Sequence, residues 1–333
     1  MAGKRSISGE KAYQYCKKFP DAPDLTLAKK LYKDEPLLFK SIESARDAVR
    51  TYRGHKGKAT RGLVKANDAY KPVTYNTNPF PLPESRTVKA NVFTLPTSIK
   101  KVLFLTDIHI PYQDNAAIEA AVEYGKKENV DCVWLNGDTL DFFMLSFHEK
   151  DPRKNSIADE LEAGKQFFAY LRNNFPKAAI YYIPGNHEIR LERYLKVKAP
   201  ELLDVPDFQL DVFLKVREHD IIYVPYGSKV YFGKLLVEHG DKMKGSGGVN
   251  PARTLALKFK RHTICGHFHR TSEAMSKVYD GDATVCYSVG ALCELEPHFL
   301  QVNEHNHGAA IIEMLPAGEF IVHNKKISNG KVF

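Results

Sequence analysis

Two hydrophobic periods divide this chain. In residues 8–54 apolar positions recur every three or four residues. Ala12, Cys16 and Phe19 share one side of a first predicted helix, which Pro20 and Pro23 end. Leu25, Ala28, Leu31 and Tyr32 mark a second, which stops before Pro36. Ser41 is placed to cap a third, with Ile42, Ala45, Val49 and Tyr52 as its apolar stripe and Gly54 as its stop. Arg46, Arg50 and Arg53 form a basic stripe about a quarter turn round the same helix. Three short helices with a basic last one predict a small helix-turn-helix-like unit over 1–54. Residues 55–98 lack a period. Their glycines, lysines and the run Asn78-Pro79-Phe80-Pro81-Leu82-Pro83 predict an extended linker.

From residue 99 the pattern becomes strand, loop, helix. Continuous apolar runs at 102–105, 132–135 and 179–183 read as strands buried on both faces. Helical periods at 115–128, 157–173 and 188–198 alternate with them, which predicts a mostly parallel sheet. Strand signals then dominate at 221–224, 229–232, 234–238, 262–265, 285–289, 309–314 and 319–323, with Gly233-Lys234 as a hairpin turn. The expected fold class is α/β: a two-sheet β-sandwich flanked by helices over 99–333, preceded by the small helical unit.

Polar positions of one chemical kind follow the apolar runs. They fall in five short motifs: Asp107-Ile-His109, Gly137-Asp138-Thr-Leu-Asp141, Gly185-Asn186-His187-Glu188, His239-Gly-Asp241 and Gly266-His267-Phe-His269. Strand C-terminal ends of an α/β sheet gather at one edge, where ligands collect. Carboxylates, imidazoles and an amide concentrated there suit hard-to-borderline ions such as manganese, iron, zinc or cobalt. Two such ions side by side can clamp a phosphate and acidify a bound water enough to give hydroxide near neutral pH.

The five motifs, in this order and spacing, resemble those of the calcineurin-like metallophosphoesterase superfamily over about residues 100–315. The resemblance implies a four-layer αββα sandwich and a phosphoester hydrolase with two divalent ions and a bridging hydroxide. Manganese is expected first, with iron, zinc, cobalt or nickel compatible. Carried over residue by residue, it implies Asp107, His109 and His269 as ligands of one ion. Asn186, His239 and His267 would hold the other, and Asp138 would bridge both. It further implies His187 as the general acid that protonates the leaving oxygen, with Asp141 behind it as the carboxylate that orients it. Asp241 reads as structural. Arg190, Lys242, Arg253 and Arg270 lie near the motifs, and of these Arg190 and Arg270 are expected to bind substrate. His148, His305 and His307 are expected to be surface or structural histidines.

Charge changes the picture at the N-terminus. Residues 1–72 hold 17 Lys+Arg against 8 Asp+Glu, and the rest of the chain holds 31 against 32. A basic appendage on a near-neutral body predicts polyanion binding, DNA or RNA, through Arg46, Arg50 and Arg53. The competing expectation is a structural or protein-contacting unit. The favoured substrate is therefore nucleic acid, cleaved as a phosphodiester. The alternative is a phosphomonoesterase acting on phosphoprotein or a small metabolite. A non-catalytic binding protein is disfavoured by the complete ligand set. Five scattered cysteines without a CxxC pair predict reduced thiols, and no apolar run suggests a transmembrane helix or secretory signal. The expected location is the cytoplasm of a bacterium or of a phage-infected host, with no membrane partner. Oligomeric state is not legible.

Overall fold

The computed structural model describes residues 5–56, 82–147, 156–243, 249–277, 281–297 and 302–333. Its contacts divide the chain into two compact units, Met1–Val88 and Lys89–Phe333. Most of the expected linker, 57–81, lies outside the described residues.

The first unit contains α1 (Ile7–Lys18), α2 (Asp24–Asp34) and α3 (Ile42–Tyr52). Ser6 caps α1 by accepting from Gly9 N, and Ser41 forms a reciprocal capping box with Ser44 on α3. Ala12, Cys16, Leu27, Ala28, Leu31, Ala45 and Val49 close the core, as their spacing predicts. The seven residues between α2 and α3 exceed a tight helix-turn-helix turn.

In the second unit the strands β1 (Val92–Thr94), β2 (Lys101–Leu105), β3 (Cys132–Asn136), β4 (Ala179–Ile183), β5 (Ile221–Tyr223), β6 (Lys229–Phe232), β7 (Leu235–Val237), β8 (Thr263–Cys265), β9 (Ser272–Lys277), β10 (Ala283–Ser288), β11 (His307–Met314), β12 (Phe320–Ser328) and β13 (Lys331–Val332) form two sheets. Their orders are β1-β6-β7-β8-β10-β9 and β13-β12-β11-β2-β3-β4-β5. Pairings among β2, β3, β4 and β5 are parallel, as are β7–β8 and β8–β10. β1 lies within the segment read as linker, where it pairs in parallel with β6.

Alternation sorts side chains into layers. Val102, Phe104, Trp134, Tyr181 and Ile312 of one sheet meet Val230, Phe232, Leu235, Val237 and Ile264 of the other. The opposite faces of β2 and β3 send Leu103, Leu105, Val133 and Leu135 against helices α4 (Asn115–Lys127) and α5 (Ile157–Asn174). Cys265 and Cys286 of the second sheet pack on Ala252, Leu255 and Ala256 of a helix, Pro251–Phe259. The result is the expected mixed α/β architecture of two sheets with flanking helices. The remaining long helix, Ile189–Lys198, follows β4 directly; it is numbered α6, and Pro251–Phe259 is α7.

Candidate metal centre

Asp107, Asp138 and Asn186 follow β2, β3 and β4 of one sheet, while His239 and His267 follow β7 and β8 of the other. The C-terminal edges of two parallel strand sets thus supply one cluster. Five of its residues, Asp107, His109, Asp138, His267 and His269, hold left-handed backbone conformations with φ between 51° and 68°. That conformation costs a residue with a Cβ about 1–2 kcal/mol, and such strain persists only where surroundings over-determine it. Here they do. Asp107 Oδ2 accepts from Thr106 Oγ1 at 2.6 Å and from His267 N at 2.7 Å. Asp138 Oδ1 accepts from His187 N at 2.9 Å. Glycine is required beside them: a Cβ on Gly185 would overlap Asp138 Oδ1, and one on Gly266 would overlap Thr106 Oγ1 and Asp107 Oδ2.

The remaining carboxylate oxygens face imidazole nitrogens. Asp138 Oδ2 lies 3.1 Å from His239 Nε2, 3.9 Å from His187 Nε2 and 4.0 Å from His109 Nε2. His239 Nε2 is also 3.2 Å from Asn186 Oδ1. Its other nitrogen, Nδ1, sits 2.8 Å from the Asn136 carbonyl, which fixes the ring and leaves Nε2 toward the cluster. Asn136 is itself held by Trp134 Nε1 at 3.1 Å and by donating to the Glu238 carbonyl at 2.9 Å. On the other side, His269 Nε2 is 3.3 Å from Asp107 Oδ1 and 3.1 Å from His109 Nε2.

This donor set fits divalent cations. Asp107 Oδ1 is buried without a hydrogen-bond donor, and the Nε2 atoms of His109 and His269 converge on it. His109, Asp138 and His187 form one group with ligand-like spacing, and Asp138, His239 and His267 form another, so Asp138 belongs to both. Burial would raise the pKa of both carboxyls. The imidazoles of His269 and His239 outweigh it at Asp107, and those of His239 and His187 at Asp138, so both stay well below the ordinary carboxylate range. Cys293 Sγ lies 3.8 Å from His269 Nδ1, the nitrogen turned away from Asp107, so the thiol backs the ring.

His187 and Asp141 meet as expected, with His187 Nδ1 3.0 Å from the Asp141 carbonyl and 3.3 Å from its Oδ2. Asp141 Oδ2 also lies 3.2 Å from His109 Nδ1, so one carboxylate backs two imidazoles. Arg190 joins them. Its Nη1 donates to the Asp141 carbonyl at 2.8 Å, and its Nη2 is 3.2 Å from His187 Nε2. Burial acts to lower the pKa of His187, but the charges of Asp138 and Asp141 outweigh it and hold the imidazole above its usual value.

Two residues to which the sequence assigned no role organise this shell. Glu188 is 1% exposed, and its carboxylate accepts from the backbone N–H of Asp138 (3.0 Å), Thr139 (2.6 Å), Leu140 (3.0 Å) and Gly185 (2.8 Å). It ties the loop after β3 to the loop after β4. Glu160 of α5, also buried, accepts from Phe142 N, and burial pushes its carboxyl up to about 8.

One expected contact is corrected, and the other residues singled out take the following places. Arg53 is 7% exposed and is no nucleic-acid contact; its guanidinium donates to the carbonyls of Phe19 and Ala22 and to Asp24. Arg46 pairs with Glu43 and Lys56 with Asp47, so α3 presents a largely compensated face, with Arg50 half-buried beside it. Arg270 is committed to Glu304 at 2.7 Å and to the Val249 carbonyl at 3.1 Å. Lys242 pairs with Glu238, and Arg253 is exposed on α7. Asp241 accepts from Tyr226 Oη at 2.5 Å, the structural role expected. His305, set aside from the sequence, stacks edge-on against His269 with ring centroids 4.8 Å apart, while His307 Nε2 meets the Cys293 carbonyl. His148 lies outside the described residues. All five cysteines are free and buried.

Comparison with known proteins adds a family. A model described as calcineurin-like phosphoesterase matches residues 100–286. The Gene 54 protein of Mycobacterium phage L5 is 25% identical over 203 residues, covering 57% of this chain and 77% of that protein. Among solved structures, a single mutant of Vps29 from Entamoeba histolytica aligns with 13% identity and a TM-score of 0.37, over 70% of this chain and 96% of its own. A dimetal phosphatase from Danio rerio aligns with 9% identity and a TM-score of 0.32, over 68% and 96%.

Proposed function

The chain belongs to the calcineurin-like phosphoesterase family, and from that premise we propose that it is a two-metal phosphodiesterase acting on nucleic acid. The carrying observation is the position of Asp138 Oδ2, which faces the imidazoles of His109, His187 and His239 at once. Asp107, His109 and His269 would hold one ion and Asn186, His239 and His267 the other, with Asp138 shared. Two divalent ions, manganese foremost, would supply Lewis acidity toward the phosphoryl oxygens and an acidified water as nucleophile.

The chain's own groups do the rest. Asp138 and Asp141 favour the charged form of the His187 imidazole, which would give its proton to the departing oxygen. Asp141 holds the ring by Nδ1, which directs Nε2 outward. Arg190, anchored on the Asp141 carbonyl, places a guanidinium where negative charge develops.

A nucleic-acid substrate is supported by the 17 Lys+Arg against 8 Asp+Glu in residues 1–72. Burial of Arg53 and the pairing of Arg46 with Glu43 leave Arg50 and the lysines of that segment to carry the attraction. Reduced thiols suit a cytoplasmic setting, and no helix among the described residues is long and apolar enough to cross a membrane.

The test is hydrolysis by metal-stripped protein given manganese, on bis-p-nitrophenyl phosphate, p-nitrophenyl phosphate and labelled single- and double-stranded DNA. The diester and DNA should be cleaved, and Asp138→Ala should abolish both activities. Cleavage of the monoester alone would make the protein a phosphomonoesterase instead.

A further inference from the structure

A pocket of about 240 Å³ opens beside the candidate centre, lined by Phe147, Arg190, Arg193, Tyr194 and Lys198 among others. Its position matters because Arg190 belongs to both places: it lines the pocket, and its guanidinium is 3.2 Å from His187 Nε2. The pocket is therefore one residue away from the His187 imidazole.

Its chemistry is two-fold. Phe147 is 90% exposed and Tyr194 41% exposed, so two aromatic faces stand in water at its wall. Arg190, Arg193, Tyr194 and Lys198 fall at i, i+3, i+4 and i+8 of α6 and share one face of it. Neither Arg193 nor Lys198 has a carboxylate partner among the described residues, although Lys196 on the same helix pairs with Glu192. Unpaired cations beside bare rings match a strand of nucleotides, in which flat bases alternate with phosphates. From Arg190 to Lys198 the helix rises about 12 Å, room for about three stacked nucleotides at about 3.4 Å each.

We propose that this pocket is the leaving-strand subsite of the enzyme: bases of a single-stranded nucleic acid stack on Phe147 and Tyr194, and Arg193 and Lys198 hold the phosphates that follow the scissile one. The subsite rests on the phosphodiesterase reading of the metal centre.

The test uses full-length protein and two double variants, Phe147→Ala with Tyr194→Ala and Arg193→Glu with Lys198→Glu. All four residues are exposed, so folding is not at stake. Labelled oligothymidylate binding is read by anisotropy on metal-stripped protein, and kcat/KM with manganese is read for oligothymidylate and for bis-p-nitrophenyl phosphate. Each double variant should bind the oligonucleotide at least about tenfold more weakly. Each should also lower the ratio of the two kcat/KM values by a similar factor. The charge variant should flatten the slope of log K against log salt by about 1.4, for two lost phosphate contacts. Unchanged affinity and ratio, or a phosphopeptide that displaces oligothymidylate at equal or lower concentration, would overturn the subsite while leaving the metal centre standing. If neither substrate is cleaved, the phosphodiesterase reading fails and the subsite falls with it.

Discussion

Glu188 offers the sharpest structural prediction. Its buried carboxylate is acceptor to four backbone N–H groups, two on each oxygen: Thr139 and Leu140 on Oε1, Asp138 and Gly185 on Oε2. Glu188→Gln conserves shape and keeps one oxygen. Its amide nitrogen must then face two N–H donors, which lose their acceptor. A buried donor without a partner costs about 1–3 kcal/mol, so two cost about 2–6 kcal/mol. The unit spanning Lys89–Phe333 is near the size at which 1 kcal/mol moves Tm by about 2–4 °C. The midpoint should fall by roughly 4–24 °C, read by scanning calorimetry. The damage should also reach the centre, because whichever oxygen is replaced, at least one donor of the loop that carries Asp138 is released. Manganese content after gel filtration should therefore drop in the same variant. A Glu188→Gln protein with wild-type Tm and metal content would show that the two loops are held together by something else.

Three further outcomes follow from named contacts. His187→Ala should keep its metal complement and lose about 10²–10⁴-fold in kcat; metal loss measured in that variant would remove the proton-donor role. Arg53→Ala should destabilise α1–α3 by about 2–3 kcal/mol through the exposed ends of Phe19 and Ala22 and the abandoned Asp24, while Arg50→Ala stays within about 0.5 kcal/mol; equal hydrogen-exchange protection of α1 in the two variants would contradict the buried clasp. Glu160 has its carboxyl raised by burial to about 8, above its unfolded value. The native state therefore binds more protons than the unfolded state between the two values, and stability should fall as pH rises through that window. Glu160→Gln keeps an acceptor for Phe142 N and should flatten that fall in Tm between pH 6 and 8; an identical slope would exclude Glu160 as its source.

Much of this was legible because parallel strands buried on both faces read as plain apolar runs. Those at 102–105, 132–135 and 179–183 became β2, β3 and β4, and the motif residues after them meet in space. What failed had physical reasons. β9 is Ser-Glu-Ala-Met-Ser-Lys, an edge strand with an exposed face and little apolar signal, and β1 is a three-residue strand recruited by β6. Helix α7 carried a readable signal that went unused, with Asn250 as its cap and Pro251 at its first position. Within the arginine stripe of α3, Arg53 misled because it sits at the helix end, where the side chain turns back onto the carbonyls of Phe19 and Ala22 between α1 and α2. Sequence position cannot separate a solvated cation from one that closes an orphan carbonyl. Glu160 and the backing thiol of Cys293 were out of reach, because their partners Phe142 and His269 lie 18 and 24 residues away.

The central claim is that one carboxylate, Asp138, joins two ion sites. Titration of metal-stripped full-length protein with manganese, followed by calorimetry, tests it most directly. The account predicts two ions per chain in the wild type, and in Asp138→Asn a loss of affinity at both sites together with loss of diester hydrolysis. A wild type that binds a single ion, or an Asp138→Asn variant that still binds two with unchanged affinity, would contradict it.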